Sequence, residues 1–153
     1  GKKRPLHIEK ALDVLDYRTY KAAFRGLEIR NDKLAGKYLV MSGNFCVRQV
    51  ESAGDPIELN ADGTLSAWMF LRGEAEVSCK IEKVGARALD TVLIPAFLGK
   101  YRIEGRFSAL QIYPAENVMN EYYSLLDQGY TNDEIINNIA GAEHLCSTFQ
   151  IAV

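Results

Sequence analysis

Residues 88–105 read Ala-Leu-Asp-Thr-Val-Leu-Ile-Pro-Ala-Phe-Leu-Gly-Lys-Tyr-Arg-Ile-Glu-Gly, and this run decides the fold class. An apolar strand from Thr91 to Ile94 ends on Pro95, which lacks an amide hydrogen and so suits a strand end or edge. A short apolar turn with Gly99 follows. The next strand sets Tyr101 and Ile103 against Lys100, Arg102 and Glu104, a period of two that implies one buried and one wet face. The reading is a hairpin that stops at Gly105.

The pattern extends outward from this run. From Lys37 onward, short strands alternate with turn residues, the signature of a sandwich or barrel. Before the run, the strands expected are Tyr38 to Met41, Phe45 to Glu51, Ile57 to Asn60, Thr64 to Leu71 and Glu74 to Ile81; after Thr91 to Ile94 come Lys100 to Glu104 and Ser108 to Tyr113. Glu74 to Cys79 alternates polar with small apolar residues, as a half-buried strand does. Leu65 to Leu71 is apolar at nearly every position, which predicts cover on both faces and places Trp68 in the core. Turns are expected at Gly54-Asp55-Pro56, Ala61-Asp62-Gly63 and Arg72-Gly73. The fold class expected is mainly β, an antiparallel jelly-roll barrel, with no internal repeat.

The two ends differ from this middle. Ile8, Leu12, Leu15, Tyr20 and Phe24 suit a short helix followed by irregular chain. After Pro114, Val118, Tyr122, Leu125 and Leu126 stand at helical spacing, Gly129 is a helix stop, and Thr131-Asn132-Asp133-Glu134 has the form of a capping box opening a second helix through Ile139 to Gly141. From Leu145 to Val153, Phe149, Ile151 and Val153 alternate with Thr148, Gln150 and Ala152, which reads as a terminal strand. The division expected is a lead-in over 1–36, a jelly roll over 37–114 and an acidic helical extension over 115–153.

Length and composition describe a folded domain: 153 residues, 48% hydrophobic and 25% charged. The net charge of −2 hides an asymmetry, because residues 1–114 carry all 18 Lys and Arg while residues 115–153 carry six acids and no Lys or Arg. That charge argues against nucleic acid as the partner of the helical tail. No apolar run approaches the about 20 residues of a membrane helix, and the basic start Gly1-Lys2-Lys3-Arg4-Pro5 has no apolar stretch behind it, so it does not read as a secretory signal. A chain starting at Gly1 rather than methionine is read as an excised domain. Cys46, Cys79 and Cys146 lie far apart, without the paired spacing of a zinc or redox site, and read as small buried residues of a cytoplasmic protein.

The spelling Asp90-Thr91-Val92-Leu93-Ile94-Pro95-Ala96 resembles the last cupin domain of type I mannose-6-phosphate isomerases, with Leu89 where that family usually has glycine. Pro5 to Tyr17 is similar to the segment entering that domain, and Asn44 to Val50, Met69 to Val77 and Ala109 to Tyr113 fall in the order of its strands. The resemblance covers residues 4–114; the extension lies outside it. It implies a cupin-like barrel. It also implies a parent enzyme that interconverts mannose 6-phosphate and fructose 6-phosphate, with zinc in an earlier, catalytic cupin.

Cupins that bind metal use two histidines one residue apart, a glutamate and a later histidine. The corresponding positions here are Asn60 and Asp62, Ser66, and Lys100, whose ammonium has no lone pair. The chain itself is therefore expected to carry no metal, no cofactor and no catalytic residue. His7 reads as structural, with a functional role in the parent enzyme as the alternative, and His144 beside Cys146 lacks a second ligand at suitable spacing. Glu74 and Glu76 juxtapose two carboxylates but also suit a solvated strand face. Lys100 and Arg102 suit a sugar phosphate, or equally an edge protected by charge. No nucleophile elbow, phosphate loop or dinucleotide fingerprint is present.

The function expected is a non-catalytic, metal-free C-terminal cupin domain that covers the catalytic cupin of the same polypeptide. The alternative is a stand-alone cupin module that binds a carbohydrate or other small ligand. The extension is expected to pack on the barrel, on another domain, or on a second copy in a homo-oligomer.

Overall fold

The computed structural model describes residues 7–15, 17, 24–29, 34–115 and 118–148. Eight antiparallel strands form one continuous sheet that folds over itself. In chain order they are β1 (Leu27–Glu28), β2 (Ala35–Met41), β3 (Phe45–Ala53), β4 (Ile57–Asn60), β5 (Ser66–Ser78), β6 (Lys83–Arg87), β7 (Thr91–Ile94) and β8 (Lys100–Pro114). Helix α1 (Ile8–Asp13) precedes them; α2 (Val118–Asp127), α3 (Asn132–Asn138) and α4 (Ala142–Thr148) follow.

Strands β5 and β8 pair with each other and let the sheet close over itself, because each changes its other partner partway along. The first half of β5 pairs with β7 and its second half with β6, while β8 pairs first with β4 and then with β3. Both bend at glycine. A Cβ on Gly73 would stand 2.0 Å from the Arg106 carbonyl oxygen, and one on Gly105 would stand 2.4 Å from that of Glu74, so only glycine lets the two paired backbones lie this close at these positive φ angles.

This bend corrects the sequence reading. Arg72-Gly73 is not a turn but part of a β5 that runs on past it, and Lys100 to Glu104 and Ser108 to Tyr113 are one strand. The expected hairpin is also absent: β7 pairs with β5, and β8 with β4 and β5, so residues 95–99 join two strands that do not pair with each other. The near-continuous apolar run of Leu65 to Leu71 has one covered face only. Trp68 and Phe70 are buried, whereas Leu65, Met69 and Leu71 are exposed. Strand β5 ends at Ser78, short of Ile81, so Cys79 lies in the turn to β6 and is only partly buried; that turn and β6 itself were not anticipated.

Two dry cores result. One, between the sheets, gathers Val50, Trp68, Phe70, Ile94, Ile103 and Phe107; Phe70 and Phe107 meet edge to face at 5.3 Å. The other lies between the barrel and the tail, where Tyr38, Met41 and Cys46 meet Val118, Tyr122, Leu125, Ile135 and Leu145. The tail thus packs on its own barrel, and it does so as its sequence directs. Gly129 at φ +87° lets the Tyr130 and Gly129 amides return to Leu125 and Leu126 at the end of α2, and the Thr131–Glu134 capping box opens α3. Ala140 then bonds to the edge of β2 through Leu39 and Met41.

Leu145 to Thr148 belong to α4 rather than to a terminal strand, and Phe149 to Val153 lie outside the described residues, as does the side chain of Cys146. Helix α1 forms as its pattern predicts, with Ile8, Leu12 and Leu15 exposed; Tyr20 is outside the described residues.

Candidate functional site

Between the two cores lies a polar seam. Along β3 the inward positions are Cys46, Arg48 and Val50; along β8 they are Tyr113, Gln111 and Ala109, paired with them in register. At the ends of this ladder Cys46 faces the tail core and Val50 the barrel core, so Arg48 and Gln111 stand between two hydrophobic clusters. There they line a cavity of about 420 Å³.

Three structural units close the cavity. Strands β2, β3 and β8 contribute Tyr38, Arg48, Tyr101, Gln111 and Tyr113. The turn before β5 contributes Asn60, Asp62 and Thr64, with Ser66 at the head of the strand. Helix α2 lies across the opening with Asn120, Glu121 and Ser124, while Gln128 just beyond its end completes this side.

The guanidinium of Arg48 organises the interior. Its Nε–H donates to Gln111 Oε1 at 2.6 Å, it interacts electrostatically with the Tyr38 hydroxyl, and it lies 5.7 Å from the centre of the Tyr113 ring. Its Nη1 stands 3.8 Å from Glu121 Oε1, too long for a hydrogen bond, while the Tyr113 hydroxyl donates to the other oxygen, Glu121 Oε2. Elsewhere in the lining Trp68 Nε1–H donates to the Tyr101 hydroxyl at 3.3 Å. Burial raises the Tyr113 hydroxyl far above the usual range, and the negative charge of Glu121 adds to it. Tyr38 and Tyr101 are raised for the same first reason, burial. The three phenols therefore act as neutral hydrogen-bonding groups.

Three of the four positions singled out from the sequence, Asn60, Asp62 and Ser66, do meet in this cavity. Asp62 accepts a hydrogen bond from the Asn60 side-chain amide, and Asn60 pairs with Lys100 across β4 and β8. Amide, single carboxylate, hydroxyl and ammonium do not fit the imidazole and carboxylate donor set of a transition-metal centre. Among the described residues no three His, Cys, Asp or Glu side chains converge.

The other candidates lie elsewhere. Lys100 is exposed and Arg102 is engaged with Glu104 at 2.7 Å and Glu58 at 3.8 Å, and neither lines the cavity. Glu74 and Glu76 are on the exposed face of β5, with Glu76 paired to Lys83 at 2.8 Å. His7 at the start of α1 and His144 on α4 are both exposed, and neither lines the cavity. Sequence reasoning missed Arg48, Gln111, Tyr113 and Glu121. The first two carried a signal: a charged and an amide side chain at buried parity on strands that are otherwise apolar inward.

No protein-family model matches the chain, and no curated protein sequence matches it significantly. Solved structures do resemble it. The mannose 6-phosphate isomerase of Bacillus subtilis overlaps 71% of this chain with a TM-score of 0.60 at 16% identity. The chain spans 34% of that isomerase, about a third of its length. Ectoine synthase from P. lautus overlaps 61% of this chain and 75% of its own, with a TM-score of 0.52 at 14% identity. A cupin superfamily protein from Desulfitobacterium hafniense DCB-2 overlaps 76% of this chain and 94% of its own, with a TM-score of 0.48 at 22% identity. At these identities the likeness to the isomerase and the ectoine synthase, with TM-scores above 0.5, speaks for the fold alone, a cupin-like antiparallel β barrel. No helix among the described residues is long and apolar enough to cross a membrane.

Proposed function

We propose that this chain is a non-catalytic cupin module that binds a small hydroxylated ligand of carbohydrate type in the cavity beneath α2. The observation that carries this reading is the part-buried Arg48–Gln111 pair, set between two hydrophobic clusters on a ladder whose flanking inward positions belong to those clusters. Stability alone does not account for it, since a buried charge costs more than the hydrophobic residue that could replace it. A cavity of about 420 Å³ is of ligand size, and hydroxyl, amide and guanidinium walls backed by tyrosine rings match a molecule rich in hydroxyl groups.

Trp68 is the only tryptophan and bonds Tyr101 on the cavity wall, so its fluorescence reports occupancy directly. Titration with free hexoses, pentoses and linear polyols is expected to give a saturable change for at least one of them, which Arg48→Met abolishes. A flat response across all three classes contradicts the proposal.

A second reading keeps this module as the C-terminal cupin of a mannose-6-phosphate isomerase-like protein, covering a zinc-bearing catalytic cupin in the same polypeptide. The spelling Asp90 to Ala96 and the entering segment Pro5 to Tyr17 favour it. A histidine-rich cupin encoded in frame upstream of Gly1 supports it; an unrelated or absent upstream coding region removes it.

A further inference from the structure

We infer that Glu121 sets the charge selectivity of this cavity, so that it accepts an uncharged hydroxylated ligand and rejects the phosphorylated or carboxylated counterpart. The inference rests on the binding role proposed above and names its ligand class.

Among the described residues lining the cavity the charged groups are Arg48, Asp62 and Glu121, a balance of −1. Arg48 is the one cation among them, and Glu121 already faces it. Glu121 is fixed in that position from two directions: its Oε2 receives the Tyr113 hydroxyl, and its helix is anchored by the buried Val118, Tyr122 and Leu125. Swinging clear of an incoming anion would cost it the Tyr113 hydrogen bond and its approach to Arg48. A phosphate at Arg48 would therefore lie within a few ångströms of a fixed carboxylate in a partly desolvated site, where like charges repel strongly.

A neutral hydroxyl meets the opposite situation. The 3.8 Å between Arg48 Nη1 and Glu121 Oε1 is too wide for a direct hydrogen bond, and a hydroxyl oxygen near both can accept from the guanidinium and donate to the carboxylate. Arg48 still has donors to offer, because its Nε–H is committed to Gln111 and one further contact goes to Tyr38. The pair thus reads a hydroxyl group as both acceptor and donor, which a phosphate dianion cannot satisfy.

The test compares wild type with Glu121→Gln, which keeps the shape and the acceptor for Tyr113 but removes the charge. Probes are D-mannose, D-glucose, their 6-phosphates and inorganic phosphate, followed by Trp68 fluorescence and calorimetry. Wild type is expected to bind a free hexose at least about tenfold more tightly than its 6-phosphate. Glu121→Gln is expected to raise affinity for inorganic phosphate by at least about tenfold, a gain lost again in the double variant with Arg48→Met. A wild-type preference for the 6-phosphate, or unchanged phosphate affinity in a folded Glu121→Gln, overturns the inference; the first comparison needs no variant. If no hexose binds while Glu121→Gln still gains Arg48-dependent phosphate binding, the charge role stands and the carbohydrate reading falls. If hexoses bind and the charge change alters nothing, the reverse holds.

Discussion

Tyr113, near the end of the last barrel strand, donates its hydroxyl hydrogen to Glu121 on the first tail helix, and this bond joins the tail to the barrel at the cavity wall. Arg48 approaches the same carboxylate at 3.8 Å, so a tail residue balances the charge that the barrel buries. Removing the carboxylate with Glu121→Ala leaves Arg48 facing the cavity with no anion beside it. Because both side chains keep some contact with solvent, a loss of about 1–3 kcal/mol is expected, less than for a fully buried pair. Chemical denaturation of the two single variants and the double Arg48→Met/Glu121→Ala measures it: the double is expected to be more stable than the sum of the singles predicts. Strict additivity would show that the two side chains do not interact.

Leu89 occupies a backbone conformation made for glycine. Its φ of +75° falls in the turn where Asp90 bonds back to Arg87 through both its amide and its carboxylate, and its side chain is 86% exposed, so no packing depends on it. Leu89→Gly is expected to stabilise the fold by about 0.5–1 kcal/mol, the relief of left-handed strain less the added freedom of the unfolded chain. Thermal unfolding should then shift upward by a few degrees. A lower melting temperature would mean that the leucine side chain stabilises the turn in another way.

Gly73 and Gly129 share a positive φ but not an environment. Alanine at Gly73 would meet the Arg106 carbonyl, whereas alanine at Gly129 would meet nothing within 4 Å. Gly129→Ala is expected to cost about 1–2 kcal/mol from backbone strain alone, and Gly73→Ala clearly more, because strand β8 must also move. Equal losses in denaturation midpoint would remove the close pairing of β5 and β8 as the cause of the bend.

High pH should unfold the protein through its buried acids. Burial pushes the Cys46 thiol up to about 12 from an ordinary 9, and raises the hydroxyls of Tyr38, Tyr101 and Tyr113 above their ordinary 10. The folded state thus holds protons that the unfolded chain releases. This stability is present in full below about pH 9 and falls as pH climbs toward 12, by about 1.4 kcal/mol per pH unit for each group between its two values. Spectrophotometric titration is expected to show these tyrosines ionising only with unfolding. Tyrosinate absorbance for all eight tyrosines in a still-folded protein contradicts it.

Much of this was legible because local chemistry decided it. Ile57–Asn60 and Thr91–Ile94 are strands bounded by turn residues, and the Thr131–Glu134 capping box needs no tertiary partner. The misreadings of Arg72-Gly73 as a turn and of β8 as two strands share one cause. By sequence Gly73 and Gly105 read as strand ends, although the same lack of a Cβ that suits a turn also suits an irregular position within a long strand. Which strand β7 would choose as neighbour depends on that bend and is encoded nowhere near Thr91. For the site, the family pattern led to Asn60, Asp62 and Ser66, but Glu121 comes from a tail outside that pattern, and only its docking brings it to Arg48.

Truncation after Pro114 removes one wall of the cavity together with most of the tail core, leaving Tyr38, Met41 and Cys46 wet. Aggregation or a changed oligomeric state is expected by light scattering. A soluble particle of unchanged mass per particle with an unchanged melting temperature would show the extension to be dispensable.

The most direct test of the account maps where a sugar binds. In a two-dimensional amide NMR titration with free hexoses, the signals of Arg48, Gln111, Asn120 and Ser124 and the Trp68 indole are expected to move together and saturate, since these groups surround or adjoin one cavity. Saturable shifts confined to the outer face of the barrel, or none at all, would contradict the claim that the seam between the two cores is a binding site.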